Sequence, residues 1–198
     1  MITEKIFEAL NEALIFADKP KLKGSFCDLI IWFIKKVSYC LEEESFLRKS
    51  AVEYLKKNKE KKYVKMEDDF FHPFLFEKLS NTFGSQRVIK KPEKFKGEID
   101  ILFDNILPIE LKARREKHKD LKSIVDEKFP HKDQAATYES IDRVSFLVIL
   151  DISSPRSGIK NIENCWKVLT KEFDINKQLP TKIVTLIFDC NHTAPSSL

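Results

Sequence analysis

Residues 97–115 read GEIDILFDNILPIELKARR, two apolar runs separated by a turn expected at Asn105. Side chains alternate between the two faces of a strand. In the first run Glu98, Asp100 and Leu102 therefore share one face, and Ile99, Ile101 and Phe103 the other. In the second, Glu110 and Lys112 share a face, and Ile109 and Leu111 the other. If the runs pair as a hairpin, Asp100 and Glu110 converge on one point with the Lys112 ammonium beside them. Converging carboxylates next to a lysine are what a divalent cation with a helper charge requires.

The composition around this stretch narrows the function classes. At 198 residues, with 42% hydrophobic and 33% charged side chains, the chain can bury a sizeable core and does not read as disordered. There are only four glycines and no Walker or dinucleotide fingerprint, which argues against a glycine-rich phosphate loop. The net charge of +4 arises entirely within residues 85–132, so the positive surplus surrounds the acid-bearing hairpin, as a polyanion site would need. Cys27, Cys40, Cys165 and Cys190 are widely spaced without a CxxC pair, which argues against zinc or a disulfide framework and for a reducing, cytoplasmic setting. Glu4, Glu8 and Glu12 interrupt the N-terminal apolar pattern, so no signal peptide is expected. The apolar run LIIWFI at 29–34 is too short to span a bilayer, and no membrane association is expected.

Working outward, helical spacing of Ile6, Phe7, Leu10, Leu14 and Ile15 predicts a helix over 3–17, ended by Asp18-Lys19-Pro20. One or two helices are expected over 25–47, with Phe26, Leu29, Ile30, Phe33, Ile34 and Val37 buried and Trp32 and Tyr39 widening the stripe. Another is expected over 46–58, dissolving into a lysine-rich run that reads as a solvated helix end. Glu67-Asp68-Asp69 and His72 precede a helix with Phe71, Phe74, Leu75, Leu79 and Phe83 on its apolar face, stopped at Gly84. A short strand over 86–90 and a basic loop over 92–96 lead into the hairpin. Beyond it come a charged segment over 116–132, a helix over 131–141, a buried strand over 144–151, a helix over 159–173 and a buried strand over 183–189. This order implies an α/β fold, a mixed central sheet flanked by helices, with residues 1–65 as an N-terminal helical region packed on a core of residues 66–198.

Asp100 followed by Glu110-Leu111-Lys112, in two apolar strands after an acid-bearing helix, resembles the PD-(D/E)XK nuclease superfamily. Gln134 and Tyr138 form a Q-x-x-x-Y pattern ahead of the strand at 144, similar to that of RecB-type members. Ile99 stands where the motif's proline would be, a position that varies across the superfamily. The resemblance covers roughly residues 67–190.

The resemblance implies a restriction-endonuclease-like fold and a Mg²⁺- (or Mn²⁺-) dependent phosphodiesterase, with deoxyribonuclease favoured over ribonuclease. It implies Asp100 as the central metal ligand, Glu110 as the second and the Leu111 carbonyl between Glu110 and Lys112 as a further one. Lys112 would orient the attacking water or neutralise phosphate. Glu77, off the apolar stripe, is the candidate helix carboxylate, with Glu67, Asp68, Asp69 and Glu98 competing for the role; His72 reads as a helix-start residue. Gln134 and Tyr138, one helical turn apart, would position the Glu110–Lys112 strand or contact substrate. Lys90, Lys91, Lys94, Lys96, Arg114, Arg115, Lys117, His118 and Lys119 are placed to contact phosphates, which gives affinity without sequence choice.

Three readings follow. One is a nuclease acting in bacterial restriction, anti-phage defence or repair. Another is a nucleic-acid-binding module that keeps the fold without turnover. The third is a structural domain of a larger complex, docking as a homodimer or onto a partner through the N-terminal helices.

Overall fold

The computed structural model describes residues 20–42, 46–57, 66–90, 93–94, 97–114, 144–151, 166–171 and 181–189. Helix α1 (Pro20–Glu42) is followed by α2 (Phe46–Lys57), a π-helical turn (Glu67–Phe71) and α3 (His72–Phe83). The strands are β1 (Val88–Lys90), β2 (Glu93–Lys94), β3 (Gly97–Glu98), β4 (Ile101–Phe103), β5 (Leu107–Arg114), β6 (Val144–Asp151), β7 (Trp166–Lys171) and β8 (Thr181–Asp189). The expected helices over 3–17 and 131–141 lie outside the described residues.

Local chemistry explains the helix ends. Pro20 opens α1 and Pro73 lies in the first turn of α3, positions where a missing N–H costs nothing. Gly84 stops α3 as expected: its φ is 90° and its N–H reaches Ser80 O at 2.8 Å.

Six strands form one open mixed sheet in the order β1-β4-β5-β6-β8-β7. β4 runs antiparallel to both β1 and β5, β5, β6 and β8 run parallel to one another, and β7 returns antiparallel on the outer edge of β8. One face of this sheet carries Ile101, Phe103, Ile109, Leu111, Phe146, Val148, Leu150 and Val184, all buried against the helices in a single cluster. Phe26 and Phe33 of α1 meet the Phe146 ring at 5.5 and 5.9 Å, and Phe83 of α3 meets Phe103 edge-on at 5.0 Å. Trp32 donates from Nε1 to Thr82 Oγ1 at 3.0 Å, joining α1 to α3. The opposite face carries Glu110 and Lys112 alongside Leu147, Ile149 and Thr185.

The structure departs from the sequence reading in three places. Residues 166–171, expected inside a helix, form β7 and pair with β8 from Trp166↔Leu186 to Lys171↔Thr181. A short apolar run satisfies both periodicities, and here the unpaired edge of β8 takes it as a strand. The basic loop over 92–96 contains β2, which pairs with β3 as a two-stranded ribbon. The first run of the hairpin is broken at Ile99 and Asp100, so β3 and β4 belong to different sheets. Among the described residues no helix is long and apolar enough to cross a membrane.

Candidate active site

β5 outlasts its partner. The β4 ladder ends at Ile101↔Ile109, yet β5 continues to Arg114. Continuing that register places Asp100 opposite Glu110. Alternate N–H groups along β5, those of Leu111 and Ala113, then face an edge where no described strand pairs with them. Two carboxylates fill the gap. Asp100 Oδ2 accepts from Leu111 N at 2.8 Å, and Glu67 Oε2 accepts from Ala113 N at 3.0 Å. The Asp100 carboxylate thus takes the place of the Ile99 carbonyl, which a continued ladder would offer to Leu111 N.

Lys112 stands between the acids. Its Nζ donates to Glu67 Oε1 at 3.0 Å and pairs with Glu110 Oε1 at 2.8 Å. The Lys112 and Glu110 side chains retain only 12% and 5% of their exposure, so the pair sits where charge is costly. Glu110 Oε2 is buried and has no hydrogen-bond partner among the described residues.

Three acids therefore share one cation. Burial pushes the Glu110 carboxyl up, and the Asp100 charge pushes it further, to about 7, against the pull of Lys112. Burial likewise raises Glu67, with Lys112 and the Ala113 N–H opposing. Burial works against the Lys112 ammonium, but Glu110 and Glu67 outweigh it and hold its pKa above the ordinary lysine value. Lys112 thus stays charged, and Glu110 is the member that takes the proton.

A Glu110 whose folded pKa is about 7 against 4.5 for the free group takes up a proton on folding between those values. Stability falls as pH rises through that window, by on the order of 3 kcal/mol once Glu110 is fully ionised. Urea denaturation at pH 5 and pH 8 is expected to show this loss in the wild type and a flatter profile in Glu110→Gln. Equal slopes in the two proteins would mean that Glu110 does not titrate in this range.

Glu67, rather than Glu77, is the helix carboxylate against Lys112; Glu77 is exposed on α3. Two features bring Glu67 in. It continues the four-residue spacing of Phe71, Leu75 and Leu79 backwards, a signal legible in the sequence. It also opens a π-helical turn, in which His72 N–H returns to Glu67 O, and this widened turn is not legible from spacing. Asp68 and Asp69 are exposed, and Asp69 Oδ2 accepts from Tyr54 Oη at 3.0 Å. His72 is buried at the start of α3. Lys90 is exposed at the end of β1, its Nζ 6.0 Å from the Phe76 ring centroid. Lys94 falls in β2, Glu98 in β3 and Arg114 at the end of β5. Lys91, Lys96, Arg115, Lys117, His118, Lys119, Gln134 and Tyr138 lie outside the described residues.

Among the described residues no group of three or more His, Cys, Asp or Glu is assembled as a metal site. Mg²⁺ asks for less, because it keeps several waters and is held by one or two carboxylates. Asp100 and Glu110 could serve as that pair, and Glu110 Oε2, unpartnered among the described residues, offers an oxygen donor. The Leu111 carbonyl leaves the strand on the same edge as its N–H, the edge that Asp100 occupies. The donor set fits a hard divalent cation. No family model, curated protein or solved structure matches the chain.

Proposed function

We propose that the protein is a metal-dependent nuclease of the PD-(D/E)XK type, acting on DNA. The observation that carries this reading is the Asp100 carboxylate bonded to Leu111 N, next to Glu110 on β5, with Lys112 on the same strand and paired to Glu110 at 2.8 Å. Charged groups are seldom gathered at the buried centre of a sheet unless chemistry needs them there. The antiparallel β4–β5 hairpin continued by the parallel strands β6 and β8 supports a restriction-endonuclease-like core.

In this reading Asp100, Glu110 and the Leu111 carbonyl hold Mg²⁺ or Mn²⁺. The bound cation supplies a water acidified toward neutral pH and a counter-charge for the phosphate. Lys112 orients that water or neutralises the phosphate oxygen. Glu67 fixes Lys112 and closes the edge of β5. Lys90 and the basic residues at 91–119 contact the nucleic-acid backbone, and Gln134 and Tyr138 support the strand or the substrate.

A second reading is a module that keeps the fold without turnover. One observation favours it: Lys112 is already engaged by both Glu67 and Glu110, as in a closed structural ion cluster. The two readings separate on incubation with plasmid, single-stranded DNA and RNA in Mg²⁺, Mn²⁺ or EDTA. Cleavage that requires the cation supports the nuclease. Binding without cleavage in either metal selects the inert module, and cleavage that persists in EDTA sinks the metal mechanism.

A further inference from the structure

The acid-bearing hairpin ends in a turn that is held from outside. Asp104 and Asn105 have φ values of 52° and 61°, a left-handed conformation that glycine adopts most readily and Asp and Asn tolerate. Ile106 N closes onto Phe103 O at 3.1 Å, whereas cross-strand pairing begins at Phe103↔Leu107, so Ile106 is an extra residue on the β5 side. That residue sets the register. Were Ile106 to pair with Phe103 instead of standing outside the ladder, the pairing would slide by one and Asp100 would face Ile109 rather than Glu110. The ladder that must hold this register is short: it has only three pairs.

Asp104 makes up the deficit. Its Oδ1 accepts from Arg87 Nε at 2.7 Å, and its Oδ2 accepts from Arg87 Nη2 and from Ser25 Oγ, each at 2.6 Å. Its own N–H reaches Arg87 O at 2.7 Å. Arg87 Nη2 also donates to Asp28 Oδ2 at 2.8 Å, and the guanidinium lies 4.7 Å from the Phe103 ring centroid and 5.2 Å from that of Phe83. A two-pronged guanidinium–carboxylate contact fixes orientation as well as distance.

We infer that Arg87 and Asp104 are positioning residues: by locking the Asp104–Asn105 turn and the extra Ile106, they set the register that places Asp100 opposite Glu110. Ser25 and Asp28 make α1 part of the same clamp. The inference rests on the reading of Asp100 and Glu110 as the metal-holding pair, and its test reads their geometry without turnover.

The test is amide hydrogen exchange, followed by NMR on the full chain, in Asp104→Gly and Ser25→Ala. Glycine suits the turn's positive φ, so Asp104→Gly removes the carboxylate without straining the backbone. The Leu111 amide, bonded to Asp100, reports on the pair, and the Val148 and Val184 amides report on the sheet as a whole. Leu111 protection is expected to drop roughly tenfold or more in Asp104→Gly, in keeping with loss of charge-assisted bonds, and less in Ser25→Ala, while Val148 and Val184 hold. Unchanged Leu111 protection overturns the inference. So does an equal loss at all three amides, which would make the clamp a general stabiliser only. If Asp104→Gly does not fold, Ser25→Ala decides by the same criterion. A wild-type protein without metal-dependent cleavage would overturn the nuclease reading and leave this result standing.

Discussion

Asp100→Asn is expected to lower cation-dependent cleavage by roughly 10²–10³-fold while leaving the protein folded, as loss of several kcal/mol of transition-state stabilisation requires. The fold survives because the asparagine amide oxygen can still accept from Leu111 N, the 2.8 Å bond that holds Asp100 on β5. What disappears is one negative charge at the point where a cation would bind. The same substitution has a signature independent of turnover. The Asp100 charge is one of the causes that raise Glu110 to about 7, so in the variant Glu110 is expected to titrate lower, nearer the ordinary value of 4.5. Carboxylate NMR of glutamate-labelled protein reads that shift directly, and calorimetry with Mg²⁺ or Mn²⁺ reads the lost affinity. A Glu110 that titrates identically in both proteins would mean that the two carboxylates do not share one field, and the proposed centre would fail with it. A normal shift with undiminished cleavage would instead move the cation away from Asp100.

The hairpin and its faces were legible because strand alternation is strict. Ile101, Phe103, Ile109 and Leu111 all join the core cluster on one face, as period two requires. The turn at Asn105 and the stop at Gly84 were legible because few residues accept their backbone angles. β7 was not, since Trp166–Lys171 has too few residues for its pattern to separate strand from helix, and a neighbouring edge made the choice. Glu67 was one acid among several because its four-residue spacing to Phe71 competed with neighbouring Asp68, Asp69, Glu77 and Glu98, and the π-helical turn that carries it leaves no mark in the spacing. Arg87 and Asp104 carried no motif at all: their partnership joins positions 17 residues apart, and only the folded hairpin turn brings them together. Local periodicity thus located the charged strand, whereas tertiary contacts decided which acid completes the site and what holds its register.

Lys112→Met is expected to destabilise the protein at pH 8 by about 3–5 kcal/mol, the range for removing one partner of a buried ion pair. The methionine fills similar space, so the cost is electrostatic. Glu110 and Glu67 would lose their shared ammonium, held at 2.8 and 3.0 Å, and remain buried beside Asp100. The pH dependence separates this cause from poor packing. Glu110 and Glu67 both have folded pKa values above their unfolded ones, so lowering the pH protonates them in the folded state first and relieves the repulsion. The deficit should therefore shrink from pH 8 to pH 5. At the alkaline end the wild type keeps the Lys112 contribution up to the unfolded lysine value of 10.5 and loses it only as pH rises through the still higher folded value. Urea denaturation of wild type and variant at pH 5, 7 and 9 tests this, with the gap widest at the two higher values. A deficit constant across that range would assign Lys112 a packing role, and its ammonium would then have no claim to serve phosphate chemistry.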